Sequence, residues 1–539
     1  MKKKFLGLVL AFVIAIGSFG FSYRSDFFEI AKQIEIFTNL YKEVNMNYVD
    51  EINPAELMNT AIVSMLKDLD PYTQFYSEQD VQSARIQQSG SMSSIGANFK
   101  LIQEQVVITN IEEGGPADEA GLKIGDQLTH IDGIQVSDFQ QDASELLKGA
   151  AGSSVDIQFL RQGEEKKISV ERASEEQKAV PYHTLLEDKT AYIALAQFTR
   201  TASKEVGEAF KELKEQGAES VILDLRNNPG GLLGEAVNVT NLFVPKDVLI
   251  TFTRSAIEKY NQTYVTQNRP LDDQIPITVL INERSASASE IVSGSIQDLD
   301  RGIVIGARSF GKGLVQRPKN LNYGTSAKIT ISRYYTPSGR CIQALDYQDG
   351  EAIRKDEKQY QEFKTRNGRS VFDGGGIQPD IEIESAQTEG LTKALLEQNV
   401  IFNFATDYYY QHSIAGLNDF KLTDKDYKSF VKYVKNSDFE YTTETEKHLQ
   451  DLLKTAKNED LKQLLDQDIS AIEKAIANYK EKSFEDRRIA IERLLEEEII
   501  RRYFYDAGVF EFDTKNAEEV KEAQAVLQDF NRYGEILQP

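Results

Sequence analysis

The chain has a single cysteine, Cys341, in 539 residues, so no disulfide can close within it and cysteine usage says nothing of redox compartment. Its neighbours Arg340 and Ile342 bring no histidine that would activate a thiol nucleophile. There are only four histidines and no His-Glu-x-x-His string, so no metal is implied. Strongly basic stretches are missing beyond the N-terminus, and the formal net charge is −23. Phosphate contacts need clustered Lys and Arg, so nucleic acid is excluded as a partner. Low-complexity tracts and internal repeats are absent too, and after residue 21 no long apolar run follows.

The one long apolar run is at the start. Lys2, Lys3 and Lys4 precede apolar residues from Phe5 to about Phe21, the pattern of a secretory signal. No clean Ala-x-Ala site follows, and the run approaches the length that spans a bilayer. Residues 1–24 are therefore either a cleaved signal peptide or an uncleaved signal-anchor holding the protein to the membrane. Both predict export, to the periplasm or the outer face of the cytoplasmic membrane. The remainder, with 40% hydrophobic and 27% charged residues in the whole chain, has the composition of soluble globular domains. Its length suggests roughly three to five modules.

Residues 25–82 read as a helical unit. Ile30, Ile34, Phe37, Tyr41 and Val44 recur at helical spacing, and Asn53-Pro54-Ala55-Glu56 opens a second helix that Asp70-Pro71 stops. Such a pair serves packing or homo-oligomerisation. Residues 83–173 change to short β segments broken by glycines. There Gly115-Pro116-Ala117, Ala120-Gly121-Leu122, Gly125-Asp126 and Ile131-Asp132-Gly133 fall in order. This string closely resembles a PDZ domain. The resemblance implies capture of a free peptide C-terminus by strand addition, the carboxylate held by backbone N–H groups. The corresponding residues are Ile95, Gly96, Ala97, Asn98 and Phe99, after Ser94, and they depart from the common Gly-Leu-Gly-Phe form.

Residues 174–388 alternate strands and helices, which predicts an α/β sheet layered with helices, with a charged, exposed insertion between Ala344 and Arg369. Residues 389–539 are helical and rich in charge, the texture of a solvated scaffold.

Three motifs in the α/β segment carry chemistry. Ser285-Ala286-Ser287-Ala288-Ser289-Glu290 lies between a buried strand and a helix, where unpaired backbone N–H groups can hold an oxyanion. A Ser-rich helix start is by itself ordinarily a cap. Phe310-Gly311-Lys312-Gly313 places a lysine in a glycine-flanked loop, and a lysine desolvated there could act as a base. Asp224-Leu225-Arg226-Asn227-Asn228-Pro229-Gly230-Gly231 ends a strand in a glycine pair, at the strand end where such sheets bind ligands.

Together, in order and spacing, with Lys312 25 positions after Ser287, these motifs resemble the carboxyl-terminal processing peptidases, a serine-peptidase family also called tail-specific proteases. The resemblance covers most of residues 25–388. It implies a crotonase-like ββα core, a PDZ domain that gates the site, helical regions at both ends, and no cofactor. It further implies Ser287 as nucleophile, Lys312 as general base, Gln316 orienting the lysine, and the N–H groups of Gly231 and Ala288 as oxyanion hole. The substrates would be proteins or peptides with free C-termini. A base among His130, His183, His412 and His448 stays open, because a Ser-His-Asp constellation is found by geometry. Two other functions compete: a silent envelope adaptor that only binds protein tails, and a cytosolic acyl-CoA enzyme sharing the core. The latter would have no use for a PDZ module or an export signal.

Overall fold

The computed structural model describes residues 27–77, 95–138, 144–173, 178–348, 351–354, 356–383, 390–459 and 461–538. The apolar run at residues 5–21 and Ser94 lie outside the described residues. Among the described residues no helix is long and apolar enough to cross a membrane.

The centre of the molecule is a six-stranded sheet. Its order is Ile381–Glu382, Ile303–Gly306, Ile277–Ile281, Ser220–Asp224, Thr190–Ala194 and Tyr182–Leu185. All neighbours run parallel except the last pair, which is antiparallel. Four of these strands are buried at every position, and the two-residue period of a strand shows what covers each face. Ile193, Val221, Leu223, Val279 and Val304 face one core, shared with the helices Ala202–Glu215, Leu233–Asn241 and Ala288–Asp298. Tyr192, Ala194, Ile222, Leu280 and Ile305 face the other way and pack against Ala517, Val520, Ala523 and Val526. The helix Glu518–Gln528, with Ala517 as its N-cap, belongs to the charged C-terminal region. That region is thus no mere solvated scaffold. Its last helices close the second face of the central sheet, while Leu395, Phe404, Phe430 and Leu495 build a core of their own.

A second sheet lies beside the first. Its long strand Ser326–Tyr335 pairs with Leu314–Asn320 on one stretch and with Gln74–Tyr76 and Leu249–Arg254 on others. The N-terminal unit reaches it through the helix Pro54–Lys67, capped as expected by Asn53, whose side chain accepts from Ala55 N at 3.0 Å. The charged stretch after Ala344 forms two small hairpins, Leu345–Gln348 with Glu351–Arg354 and Glu362–Lys364 with Ser370–Phe372. It is anchored by Arg340, fully buried and bonded to Asp298 and Gln297 at 2.7 Å each.

The PDZ module is a six-stranded sheet around a core of Ile95, Ile108, Leu122, Ile131 and Ile157. Gly121 and Gly125 hold φ of 89° and 96°, left-handed conformations that side-chain-bearing residues resist. At Gly125 a β-carbon would also stand 2.5 Å from Thr406 of the C-terminal region. Among the described residues the strand Ala97–Ile102 pairs only with Gln105–Ile111 and forms an edge of the sheet.

Candidate active site

Three neighbouring parallel strands, Ser220–Asp224, Ile277–Ile281 and Ile303–Gly306, release their chains at the same end of the sheet. Each is followed by one of the three motifs, which is why segments far apart in sequence meet there. The turns are then tied to one another. Ser285 Oγ donates to Leu225 O at 2.7 Å, and Ala286 N donates to Asn228 O at 3.0 Å. Asn227 N donates to Asn282 Oδ1 at 2.9 Å, and Phe310 N to Ser285 O at 3.0 Å.

Ser287 sits at the N-cap of the helix Ala288–Asp298 with φ 56° and ψ −110°. A non-glycine residue pays about 1–3 kcal/mol for such a backbone, tolerated where surrounding bonds enforce it. The enforcing group is Glu290. Its carboxylate is fully buried and accepts four hydrogen bonds: Ser287 N at 2.7 Å, Ser309 Oγ at 2.6 Å, Gly311 N at 2.7 Å and Lys312 N at 2.9 Å. The backbone N–H groups of Ser287 and Lys312 therefore meet on one oxygen, Oε2. Burial pushes the Glu290 carboxyl up to about 7, against the pull of its four donors. Tyr334 adds a second tie, its hydroxyl shared between Ser287 O at 3.1 Å and Lys312 O.

The Lys312 ammonium lies 4.4 Å from the centroid of the Tyr72 ring. Burial lowers its pKa from the ordinary lysine value and Lys328 lowers it further, while Glu290 acts the other way. Tyr72 is fixed by the turn before it, where Asp70 Oδ1 accepts from Tyr72 N and Thr73 N at 2.8 Å each. Gln316 Nε2 donates to Thr330 Oγ1 at 3.3 Å, and that hydroxyl in turn reaches Asp70 Oδ1 at 3.2 Å. Gln316 thus joins the network that seats Tyr72.

Gly231 and Ala288 are brought close to the serine. A β-carbon on Gly230 would stand 2.9 Å from both Ser287 Cβ and Ala288 N, and one on Gly231 would stand 2.3 Å from Phe198 O. Only glycines allow this approach. Phe198 N bonds Gly230 O and Phe198 O receives Leu232 N, which leaves Gly231 N directed away from that bridge. Ala288, first residue of its helix, has an N–H with no intrahelical acceptor. Elsewhere, His183 lies on the outermost strand of the sheet with Glu212 at 3.2 Å, and His130 is in the PDZ sheet. His412 ends the helix Val400–Gln411 stacked on Tyr408, and His448 lies in the helix Glu444–Asn458.

Residues 189–351 match the model for peptidase family S41, residues 93–171 the PDZ domain model, and residues 391–527 the model "Probable PDZ-protease, C-terminal helical domain". A "Probable CtpA-like serine protease" of Staphylococcus haemolyticus is 29% identical over 475 residues, covering 84% of this chain and 88% of that protein. The protein of the same description from Staphylococcus aureus strain MRSA252 is 30% identical over 348 residues, covering 64% of this chain and 69% of that one. The chain belongs to peptidase family S41. It is a serine-type peptidase carrying a PDZ domain, and its substrates are proteins or peptides. Among solved structures it is similar to the photosystem II D1 C-terminal processing protease, at 26% identity and a TM-score of 0.40, over 64% of this chain and 86% of that one.

In the S41 peptidase the PDZ residues belong to a different sheet from the one that carries the serine turn. Ile95 is fully buried in the PDZ core, Gly96 O accepts from Glu112 N at 2.8 Å, and Ala97, Asn98 and Phe99 already belong to the edge strand. Gly96, Ala97 and Asn98 line a cavity of about 400 Å³ together with Arg226, Asn227 and Tyr505. That cavity joins the PDZ module to the turn that leads into Gly230-Gly231. Sequence reasoning missed Glu290, Tyr72 and Tyr334. A signal existed for the first: Ser287 and Glu290 have the Ser-x-x-Glu spacing of a capping box.

Proposed function

We propose that this peptidase is exported and cuts proteins from or near their C-termini, with Ser287 as nucleophile and Lys312 as its base. The observation that carries the reading is the single buried carboxylate of Glu290, which takes the N–H of both residues on one oxygen. Neutral Lys312, favoured by burial, accepts the proton of Ser287 Oγ as that oxygen attacks the scissile carbonyl carbon. The resulting oxyanion is met by Gly231 N and Ala288 N. Protonated Lys312 then gives its proton to the leaving amine, and water, deprotonated by the same lysine, hydrolyses the ester. Gln316 contributes through the Thr330–Asp70 network that seats Tyr72 against the lysine.

Export, to the periplasm or the outer face of the cytoplasmic membrane, is supported by Lys2–Lys4 and the apolar run behind them, the pattern of a secretory signal. Recognition of free C-termini is supported by the open edge strand Ala97–Ile102 and the cavity beside Gly96. The test is purified Ser287→Ala against wild type on an unfolded protein substrate. Complete loss of cleavage with unchanged thermal unfolding is expected; turnover near the wild-type rate overturns the assignment.

A further inference from the structure

A cleft of about 820 Å³ adjoins the active lysine. Leu314, two residues after Lys312, lines it, as does Tyr347, whose ring stands edge-on to Tyr72 at 6.2 Å between centroids. Arg254, Lys319 and Arg333 also line it. Around the buried ring of Tyr260 in its wall stand three cations, Lys259 at 5.1 Å, Lys319 at 5.2 Å and Arg317 at 5.9 Å from the centroid. Arg254 lies 4.8 Å from the ring of Phe252. Lys328, on the strand paired with Leu314–Asn320, is near enough to Lys312 to depress it.

Such crowding of one sign is unexpected in a chain with net charge −23. Two carboxylates line the cleft, and both are engaged. Asp346 pairs with Arg333 at 3.7 Å, and Asp70 accepts from Tyr72 N, Thr73 N, Thr73 Oγ1 and Thr330 Oγ1. Among the described residues, Arg254, Lys259, Arg317 and Lys319 have no carboxylate partner, although Glu258 neighbours Lys259 in sequence. Like charges gathered without counter-charges are stabilised by an anionic ligand, and the adjoining chemistry handles polypeptide.

We propose that this cleft is a substrate subsite that takes an acidic segment of the polypeptide being cut. The assignment rests on the proposed use of Lys312 only in placing the cleft beside the cut. Binding therefore tests it apart from catalysis. Fluorescent peptides of one sequence, carrying Asp and Glu or the matching Asn and Gln on either side of a central apolar stretch, are titrated into full-length Ser287→Ala protein. The acidic member is expected to bind about fivefold more tightly at low salt, through two or three part-exposed charge pairs. The preference is expected to vanish in Ser287→Ala/Arg254→Glu/Lys319→Glu and to shrink at high salt. In the active enzyme kcat/KM for the two peptides follows the same ratio. Equal binding of the two peptides, or a preference that survives charge reversal, overturns the subsite. So does displacement by phosphatidylglycerol vesicles without any difference in peptide affinity, which would give the patch to lipid. If Ser287→Ala still cleaves at a rate near wild type, the serine–lysine reading falls while the binding comparison still decides the subsite.

Discussion

The serine elbow and the peptide-facing edge of the PDZ module are held in opposite ways. At the serine turn the ties converge on a fully buried carboxylate with four donors, a tyrosine hydroxyl, and glycines too tightly fitted to accept a β-carbon. Among the described residues no strand covers the PDZ edge along Ala97–Ile102, and the module is steadied from outside by the C-terminal helices. Lys100 Nζ meets Asn399 Oδ1 at 3.0 Å, Asn110 Nδ2 meets Asp506 at 2.7 Å, and the Tyr505 hydroxyl meets Asp118 at 2.6 Å. A site that must present one geometry to a transition state is over-determined. A module that must admit a ligand is held by exchangeable polar bonds, together with the packing of Phe402 and Tyr505 on its core.

The harshest test of the elbow is Lys312→Arg. Guanidinium stays protonated and cannot take the serine proton, so the charge is kept and the base is lost. Activity should fall by about 10⁴-fold or more, the scale seen when one member of a catalytic unit is removed, with thermal unfolding little changed. Retention of a tenth of the wild-type kcat/KM would exclude Lys312 as base.

Glu290→Gln should cost less, about 10²-fold, because it displaces the serine and lysine instead of deleting them. The new amide turns a donor toward N–H groups that need acceptors. The pH profile sharpens this. Glu290 ionises at about 7 in the folded protein, above the ordinary carboxyl value, so folded protein binds more protons than unfolded between those values. The stability it contributes is accordingly greatest at acid pH and declines as pH rises toward 7. Activity should run the other way. Wild-type kcat/KM climbs first as Glu290 ionises and becomes a pure acceptor, then as Lys312 loses its proton below the usual lysine range. In Glu290→Gln the lower limb near 7 should disappear and the upper one remain. A mutant profile that still shows both limbs would sink the role given to Glu290.

What could be read in the sequence follows the same division. The PDZ module was legible because Gly121, Gly125 and Gly133 mark turns with positive φ that few other residues adopt. That the three motif loops would meet was legible because each follows a buried strand within one stretch of chain. Illegible were the partners contributed from afar. Tyr72, more than 200 residues before Lys312, reaches it because Gln74–Tyr76 adds to the strand Ser326–Tyr335. Arg226 lies in the motif that ends in Gly230-Gly231, yet its buried guanidinium pairs with Asp513 at 3.0 Å and Glu519 at 3.3 Å in the C-terminal helices. A charge-rich helix announces solvent by composition. Here the charges answer a buried arginine, and Ala517, Val520 and Ala523 supply the apolar face that docks it.

The smallest expected effect tests the PDZ side of the comparison. Within the helix Arg488–Asn516, Tyr505 alone has non-helical angles, φ 57° and ψ −167°, and this break aims its ring at the PDZ module. Burial pushes the Asp118 carboxyl up, but the Tyr505 hydroxyl, Gly114 N and Lys123 outweigh it and leave the group below the ordinary range. Tyr505→Phe keeps the ring and removes one hydrogen bond to a charged acceptor, a loss of about 1.5–3 kcal/mol in the docked state. Part of that returns when water solvates Asp118, so the docking equilibrium should move by about 1 kcal/mol, or roughly fivefold. The turn at residues 114–121 should then exchange its amide hydrogens several-fold faster, while kcat/KM for a peptide too short to reach the PDZ edge stays at the wild-type value. A change in that short-peptide rate without faster exchange would mean that Tyr505 acts on the catalytic turn through Arg226 and Asn227, which share its cavity, and that the two regions are less separable than their bonding suggests.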